Sequence, residues 1–190
     1  GPAWEELAAH PGPPRPADPA LDEPAALFYT SGSTGFPKGV TLSHRNLRFT
    51  TWSISTYLEN RAGDRILSYP PLSFDYGFFQ AATALRVGAS LFLGRNFFVM
   101  DALRRLGELE ITGFPLVPSM LAMLHMLRRP ERHSLPALRY VSNTAQALPV
   151  PAIRRFRRLW PAVAVYSMYG LTECTRALYL PPEEIDDHPE

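Results

Sequence analysis

LFYTSGSTGFPKGVTLSH, Leu27–His44, changes character twice within a few residues. It opens on a short apolar run, Ala25–Thr30, that reads as a buried strand ended by a glycine-rich turn. The turn gathers Thr30, Ser31, Ser33 and Thr34 with Gly32, Gly35 and Gly39, and Lys38 follows. Ser43 then stands where a helix wants its N-cap, and a helix is predicted to about Tyr57. Strand, polar turn and helix in succession are the opening unit of an α/β domain.

The alternation continues outward from this unit. Strands are predicted at Arg65–Tyr69, Ser90–Leu93, Ile111–Val117, Leu138–Ser142 and Ala162–Ser167, the fourth strand overall interrupted by Pro115. Helices are predicted at Asp75–Val87 with Gly88 as C-cap, Asp101–Glu110, Ser119–Arg128 and Pro151–Trp160. Strands and helices taking turns predict an α/β fold: an open, largely parallel sheet with helices on both faces. Ligands of such sheets bind beyond the carboxyl ends of the strands, and the Ser/Thr/Gly turn is predicted to lie at such an end.

Composition narrows the class. The chain has 190 residues, 46% of them hydrophobic, which suffices for a core, and a formal net charge of +1. Such a balance gives no general pull toward nucleic acid or an anionic membrane, and no nucleic-acid partner is expected. No apolar run approaches the roughly 20 residues of a membrane span. Cys174 is the single cysteine, so no internal disulfide can form, consistent with a cytoplasmic setting. Residues 1–24 hold many of the 20 prolines and read as an extended arm, with Gly1-Pro2 set aside as a processing scar. The α/β unit is expected over residues 25–182 and an acidic C-terminal tail over 183–190.

The turn itself suits a polyphosphate. Glycines let backbone amides approach a ligand, consecutive N–H groups make an anion-binding nest, and hydroxyls and Lys38 add donors and charge. It is not a Walker A loop: Pro37 and Gly39 flank the lysine where that motif needs glycine and Ser/Thr.

YTSGSTGFPKGV (Tyr29–Val40) resembles the phosphate-binding signature of the adenylate-forming, or AMP-binding, enzymes: acyl-CoA ligases, peptide-synthetase adenylation domains and luciferases. MYGLTE (Met168–Glu173) is similar to their Tyr-Gly-x-Thr-Glu motif, and SNTAQALP (Ser142–Pro149) resembles the segment whose backbone lines adenine. The wider pattern looks most like bacterial acyl-CoA ligases of the exosortase-associated type, or peptide-synthetase adenylation domains. Asn143 and Thr144 stand where many relatives carry glycine, and Ser167 where peptide-synthetase members often carry asparagine.

The resemblance implies an enzyme that joins a carboxylate to ATP with Mg²⁺, releases pyrophosphate, and passes the acyl group to coenzyme A or a carrier-protein thiol. By motif position Thr30, Ser31, Gly32, Ser33, Thr34, Gly35 and Lys38 would hold the β- and γ-phosphates. Thr172 would bond the α-phosphate and Glu173 would hold the metal; Lys38, Thr172 and Glu173 are the catalytic candidates. Tyr169 and Gly170, with Asn143, Thr144 and Ala145, would form the rest of the nucleotide site.

In PLSFDYGFFQ (Pro71–Gln80), Phe74, Asp75 and Tyr76 are the substrate-side candidates. In amino-acid-activating relatives an aspartate here meets the substrate ammonium; Asp75 could equally serve the start of a helix, and the aromatics could line an acyl pocket or fill core. The resemblance thus implies a fatty, aryl or amino acid as substrate. The basic helix Ala152–Trp160 reads as a solvated face, and neither Cys174 nor any histidine has a catalytic or metal-ligand pattern. The resemblance also implies a ribose-binding aspartate, a hinge and a small C-terminal domain bearing a lysine, none of which is recognisable here, so a fragment incomplete for catalysis is expected. A nucleotide-binding module without catalysis is the alternative.

Overall fold

The computed structural model of the chain describes residue 9, residues 18–31 and residues 35–188. Most of the proline-rich arm therefore lies outside the described residues, as do Gly32, Ser33 and Thr34.

The opening unit differs from the expectation. Strand β1 (Pro24–Thr30) does not join the parallel sheet; it pairs antiparallel with β2 (Lys38–Ser43) as a separate two-stranded hairpin. The polar turn is the loop of that hairpin, and Lys38 lies directly across from Thr30 at its mouth. Beyond Lys38 the segment alternates, with Gly39 and Thr41 exposed, Val40 half-buried and Leu42 buried, a period of two that suits a strand packed on one side.

Helix α1 (His44–Tyr57) follows at once. Ser43 and Asn46 make a capping box: Asn46 N donates to Ser43 Oγ at 3.3 Å and Ser43 N donates to Asn46 Oδ1 at 3.0 Å.

The main sheet has six strands: β3 (Arg65–Ser68), β4 (Ser90–Leu93), β5 (Gly113–Leu116), β6 (Tyr140–Asn143), β7 (Ala164–Tyr169) and β8 (Leu178–Leu180). Their spatial order is β4-β3-β5-β6-β7-β8, parallel except for β8, which returns antiparallel along β7. Pro115 sits within β5. That strand meets β3 at one position, Ile66 opposite Gly113, and β6 at four, where Pro115 stands opposite Ser142. The edge strand β8 is three residues of exposed or half-exposed side chains and carries no periodic signal.

The helices α2 (Asp75–Val87), α3 (Val99–Glu108), α4 (Pro118–His125) and α5 (Val150–Leu159) cover the sheet. Side chains alternate between two cores. Tyr140 packs with Phe28, Leu42, Ile54, Leu58 and Phe79 from the hairpin, α1 and α2. Its neighbour Val141 packs on the opposite face with Leu103, Leu106, Leu121, Leu124, Ile153 and Phe156 from α3, α4 and α5. Helices on both faces follow directly from this period of two. Helix α4 stops at His125, short of the expected Arg128, and Pro130 opens a 3₁₀ turn four residues beyond its Met126 cap. Ile185 is wholly buried in the second core, so the packed chain runs past residue 182.

At the amino ends of β3, β5 and β6, Asp64 is buried and fully engaged. Its carboxylate accepts from Arg61 N at 2.9 Å, Thr112 Oγ1 at 2.9 Å and Arg139 Nη2 at 2.8 Å. Burial alone would raise its pKa; the Arg61 amide, the Arg139 guanidinium and the Thr112 hydroxyl outweigh that and hold the carboxyl below its ordinary range. No described helix is long and apolar enough to cross a membrane.

Candidate active site

The carboxyl ends of β6 and β7 open into turns that face the mouth of the hairpin. Between them lies a cleft of about 330 Å³. Thr30 and Ser31 come to it from β1, Phe74 and Asp75 from the start of α2, Thr144 and Ala145 from the turn after β6, and Gly170, Leu171, Thr172 and Glu173 from the turn after β7. The two distant motifs thus share one cavity. A recess of about 240 Å³ adjoins it, sharing Thr30, Ser31, Phe74, Asp75 and Thr172, and runs on beside Phe28, Tyr29 and Ser73.

Helix α1 explains how the motifs meet. It leaves the hairpin directly, and its Thr50 Oγ1 lies 2.8 Å from Thr175 Oγ1 in a buried hydroxyl pair. Further along, Tyr57 donates to Met168 Sδ at 2.9 Å and stacks on Tyr179 with ring centroids 4.3 Å apart. The β7 turn is held to the helix at both of its flanks. Burial pushes the Tyr57 hydroxyl far above the ordinary phenol range, so it stays a neutral donor.

The β7 turn needs its glycine. A Cβ on Gly170 would stand 1.9 Å from the Thr175 carbonyl oxygen, so the return of the chain toward β8 passes through the space a side chain would fill. Thr175 itself takes φ 59°, and Ala145 in the β6 turn takes φ 74°, both left-handed. Asn143 is buried and its amide closes that turn by donating to Gln146 O at 2.8 Å, leaving Oδ1 without a partner.

The predicted residues divide between the cleft and its surroundings. Thr30, Ser31, Thr144, Ala145, Gly170, Thr172 and Glu173 line the cleft, with Phe74 and Asp75. Lys38 is exposed at the hairpin mouth opposite Thr30, beside the cleft walls. Gly35 is described in the loop at φ 88°, and Tyr169, at the end of β7, is 57% exposed. Gly32, Ser33 and Thr34 lie outside the described residues. Tyr76 is corrected: it is wholly buried beneath the cleft, where its hydroxyl donates to Ser142 O at 2.7 Å, so it is floor and not lining. Asp75 opens α2 without a side-chain capping bond, because the N-cap position belongs to Phe74.

Sequence reasoning missed Arg176. Its Nη1 donates to Asp75 Oδ2 at 3.1 Å, the two side chains being 4% and 6% exposed, and its guanidinium lies over the Tyr76 ring, 5.1 Å from the centroid. Nη1 also donates to the Thr175 carbonyl at 3.0 Å, while Nη2 has no partner. A lone arginine three residues past the Thr-Glu pair, in an otherwise uncharged stretch, was the available signal.

Chemically, the cleft offers hydroxyls from two directions and one exposed carboxylate at Glu173 with no ion pair among the described residues. That donor set fits a hydrated divalent cation whose other ligands come from phosphate, since Mg²⁺ prefers oxygen and keeps several waters.

Comparison with known proteins places this fold in a known family. A model of the "AMP-binding enzyme" family matches residues 2–190, and the chain belongs to that family. It is 33% identical to L-proline--[L-prolyl-carrier protein] ligase of Streptomyces coelicolor, over 85% of this chain and 31% of that protein. Among solved structures, VinN in complex with L-aspartate superposes with a TM-score of 0.87 at 31% identity, over 99% of this chain and 48% of that one. The O-succinylbenzoate coenzyme A synthetase of Bacillus subtilis in complex with ATP and magnesium ion superposes with a TM-score of 0.80 at 28% identity, over 96% and 38%. The chain spans between 9% and 32% of the length of the curated relatives it matches.

Proposed function

We propose that this chain is the nucleotide-binding part of an ATP-dependent ligase that activates a carboxylic acid as its acyl adenylate and then transfers the acyl group to a thiol. The observation that carries the reading is the shared cleft: Thr30 and Ser31 on one wall, Thr172 and Glu173 on the other.

In the first step a carboxylate oxygen attacks the α-phosphorus, the bond to the bridging oxygen breaks, and pyrophosphate leaves with the electron pair. Donors fixed where charge accumulates lower that barrier. The hairpin loop, from Thr30 through Gly32, Ser33, Thr34 and Gly35 to Lys38, holds the leaving β- and γ-phosphates. Thr172 bonds the α-phosphate, and Tyr169, Gly170 and the turn Asn143–Ala145 take the adenine side. Glu173, with cleft hydroxyls and water, would hold Mg²⁺, which when bound neutralises charge on the phosphate oxygens. Phe74 and Asp75 border the acid. In the second step the sulfur of coenzyme A or of a carrier protein attacks the acyl carbon, loses its proton, and displaces AMP. The relatives, one a carrier-protein ligase and one a coenzyme A synthetase, support both acceptors. A cytoplasmic setting, where ATP is supplied, belongs to the same proposal.

ATP–pyrophosphate exchange by the full-length protein across fatty, aryl and amino acids tests it. Exchange with an acid supports the ligase; measurable ATP binding without exchange by any acid would leave only a nucleotide-binding module. In calorimetry with this chain, Lys38→Ala is expected to weaken MgATP binding by about tenfold, the scale of a lost charge-assisted contact. Because Lys38 is exposed, the melting temperature should not move. An unchanged affinity would remove Lys38 from its assigned role.

A further inference from the structure

Arg176 and Asp75 form a buried pair at the base of the cleft, and the pair is not saturated. Nη1 of Arg176 is used twice, on Asp75 Oδ2 and on the Thr175 carbonyl, yet Nη2 is buried without a partner. Across the same cleft, Thr144 is 2% exposed and its Oγ1 also lacks a partner. A buried guanidinium nitrogen and a buried hydroxyl left unpaired on residues that line one cleft are donors waiting for an acceptor.

Charge decides what that acceptor belongs to. The pair carries one positive and one negative group and no net charge. A substrate with an ammonium alone would meet Asp75 but be repelled by Arg176. One with an extra carboxylate alone would meet Arg176 but be repelled by Asp75. An uncharged acyl or aryl tail would dry the cavity and leave both donors unsatisfied. A head group with ammonium and carboxylate on one carbon presents opposite charges to both partners.

Resting on the ligase reading above, we propose that the acid activated here bears a second, amino-carboxylate head group. Its second carboxylate is received by Arg176 Nη2 and the Thr144 hydroxyl, and its ammonium by Asp75. The substrate class is an amino-dicarboxylic acid activated at its distal carboxylate. Arg176 is then a specificity-determining residue, because its planar fork binds Asp75 through one nitrogen and leaves the other for the substrate.

The test is ATP–pyrophosphate exchange by the full-length protein on two matched sets. L-Aspartate is compared with β-alanine, which lacks the head carboxylate, with succinate, which lacks the amine, and with propanoate, which lacks both. L-Glutamate is compared in the same way with 4-aminobutanoate, glutarate and butanoate. Hydroxylamine trapping identifies which carboxylate is activated. The expected result is a kcat/KM for one amino-dicarboxylate at least about tenfold above each analogue, with the distal hydroxamate as product, since a site built to bond a polar group rejects analogues without it. Arg176→Met should bring the amino-dicarboxylate and the amino-monocarboxylate within about twofold while leaving the KM for ATP unchanged. If the single variant does not fold, Asp75→Asn with Arg176→Met, which removes both charges, should lose the preference over the uncharged analogue instead. Fastest exchange with a fatty, aryl or ordinary amino acid, or an Arg176→Met variant with an unaltered ranking, overturns the inference and leaves the ligase standing. No exchange with any acid overturns both.

Discussion

Two buried aspartates bind arginine at opposite ends of the same parallel sheet, and they differ in how completely they are served. Asp64, at the amino ends of the strands, accepts from the Arg61 amide, Thr112 and the Nε and Nη2 of Arg139. Asp75, at the carboxyl ends, is held by one nitrogen of Arg176, whose other terminal nitrogen has no partner. A saturated pair is a fastener: it ties β3, β5 and β6 together. An unsaturated one is a receptor, tolerable only because something else completes it. Burial alone would have ranked the two alike, since each aspartate is almost wholly covered; counting partners separates them.

The largest effect should come from breaking the fastener. Asp64→Ala strands the Arg61 amide, Thr112 and Arg139, and should cost about 3 kcal/mol in urea unfolding. That is the low end for a broken buried pair, because Arg139 is still 26% exposed and can reach water. MgATP affinity should stay unchanged, since Asp64 is at the far end of the sheet. A shift below about 1 kcal/mol would mean the pair is not a fastener. The same group gives a pH signature. The folded-state pKa of Asp64 is depressed, so its contribution is fully present above the unfolded value of about 3.9 and is lost as pH falls through the lower folded value. Relative to Asp64→Asn, the wild type should keep a constant advantage from neutral pH down to about pH 4 and lose it below. An advantage that instead grows on acidification would contradict the depressed pKa.

Next comes the turn that delivers Arg176. Gly170→Ala places a methyl against the Thr175 carbonyl, backbone against which no side chain can give way. A cost of about 2 kcal/mol is expected, within the range for overpacking, together with a loss of MgATP binding because Thr172 and Glu173 ride on the same turn. Equal stability with intact binding would show that the turn relaxes freely.

These two regions were unequally legible in the sequence. The sheet was readable because β3, β6 and β7 are short apolar runs between helices of clear period, as at Leu103 and Leu106. The hairpin was not, since Lys38–Ser43 sets only Val40 and Leu42 among polar and glycine residues and its strand character depends on pairing with β1. The cleft's two motifs were readable from residue type at fixed spacing, and Thr172 and Glu173 do share a cavity with Thr30 and Ser31. Arg176 and Asp64 were not readable, for one reason: each is defined by a partner far along the chain, Asp75 and Arg139 respectively, and a single charged residue does not announce which opposite charge it will meet. Tyr76 misled because an aromatic next to a cleft residue on a helix points elsewhere: one step along α2 turns a side chain from the cavity into the floor.

The smallest effect concerns strain. Four described residues other than glycine have positive φ: Glu59, Glu110, Ala145 and Thr175. Glu59 and Glu110 follow the C-caps of α1 and α3, where a left-handed residue satisfies the last carbonyls and is ordinary. Ala145 and Thr175 end no helix; both sit in turns at the cleft. For alanine the left-handed well costs roughly 1–2 kcal/mol, part of which glycine would recover before its own entropy cost. Ala145→Gly should therefore raise stability by about 0.5 kcal/mol, read as a higher urea midpoint at unchanged slope. MgATP affinity should fall slightly, because the freed turn must be ordered again around the nucleotide. A stabilised variant that binds MgATP as tightly as the wild type would show that the strain at Ala145 is incidental to the cleft. A stabilised variant that binds less tightly would show that the fold spends stability at this end of the sheet to keep the turn shaped for its ligand, as it leaves Arg176 Nη2 without a partner on the facing wall.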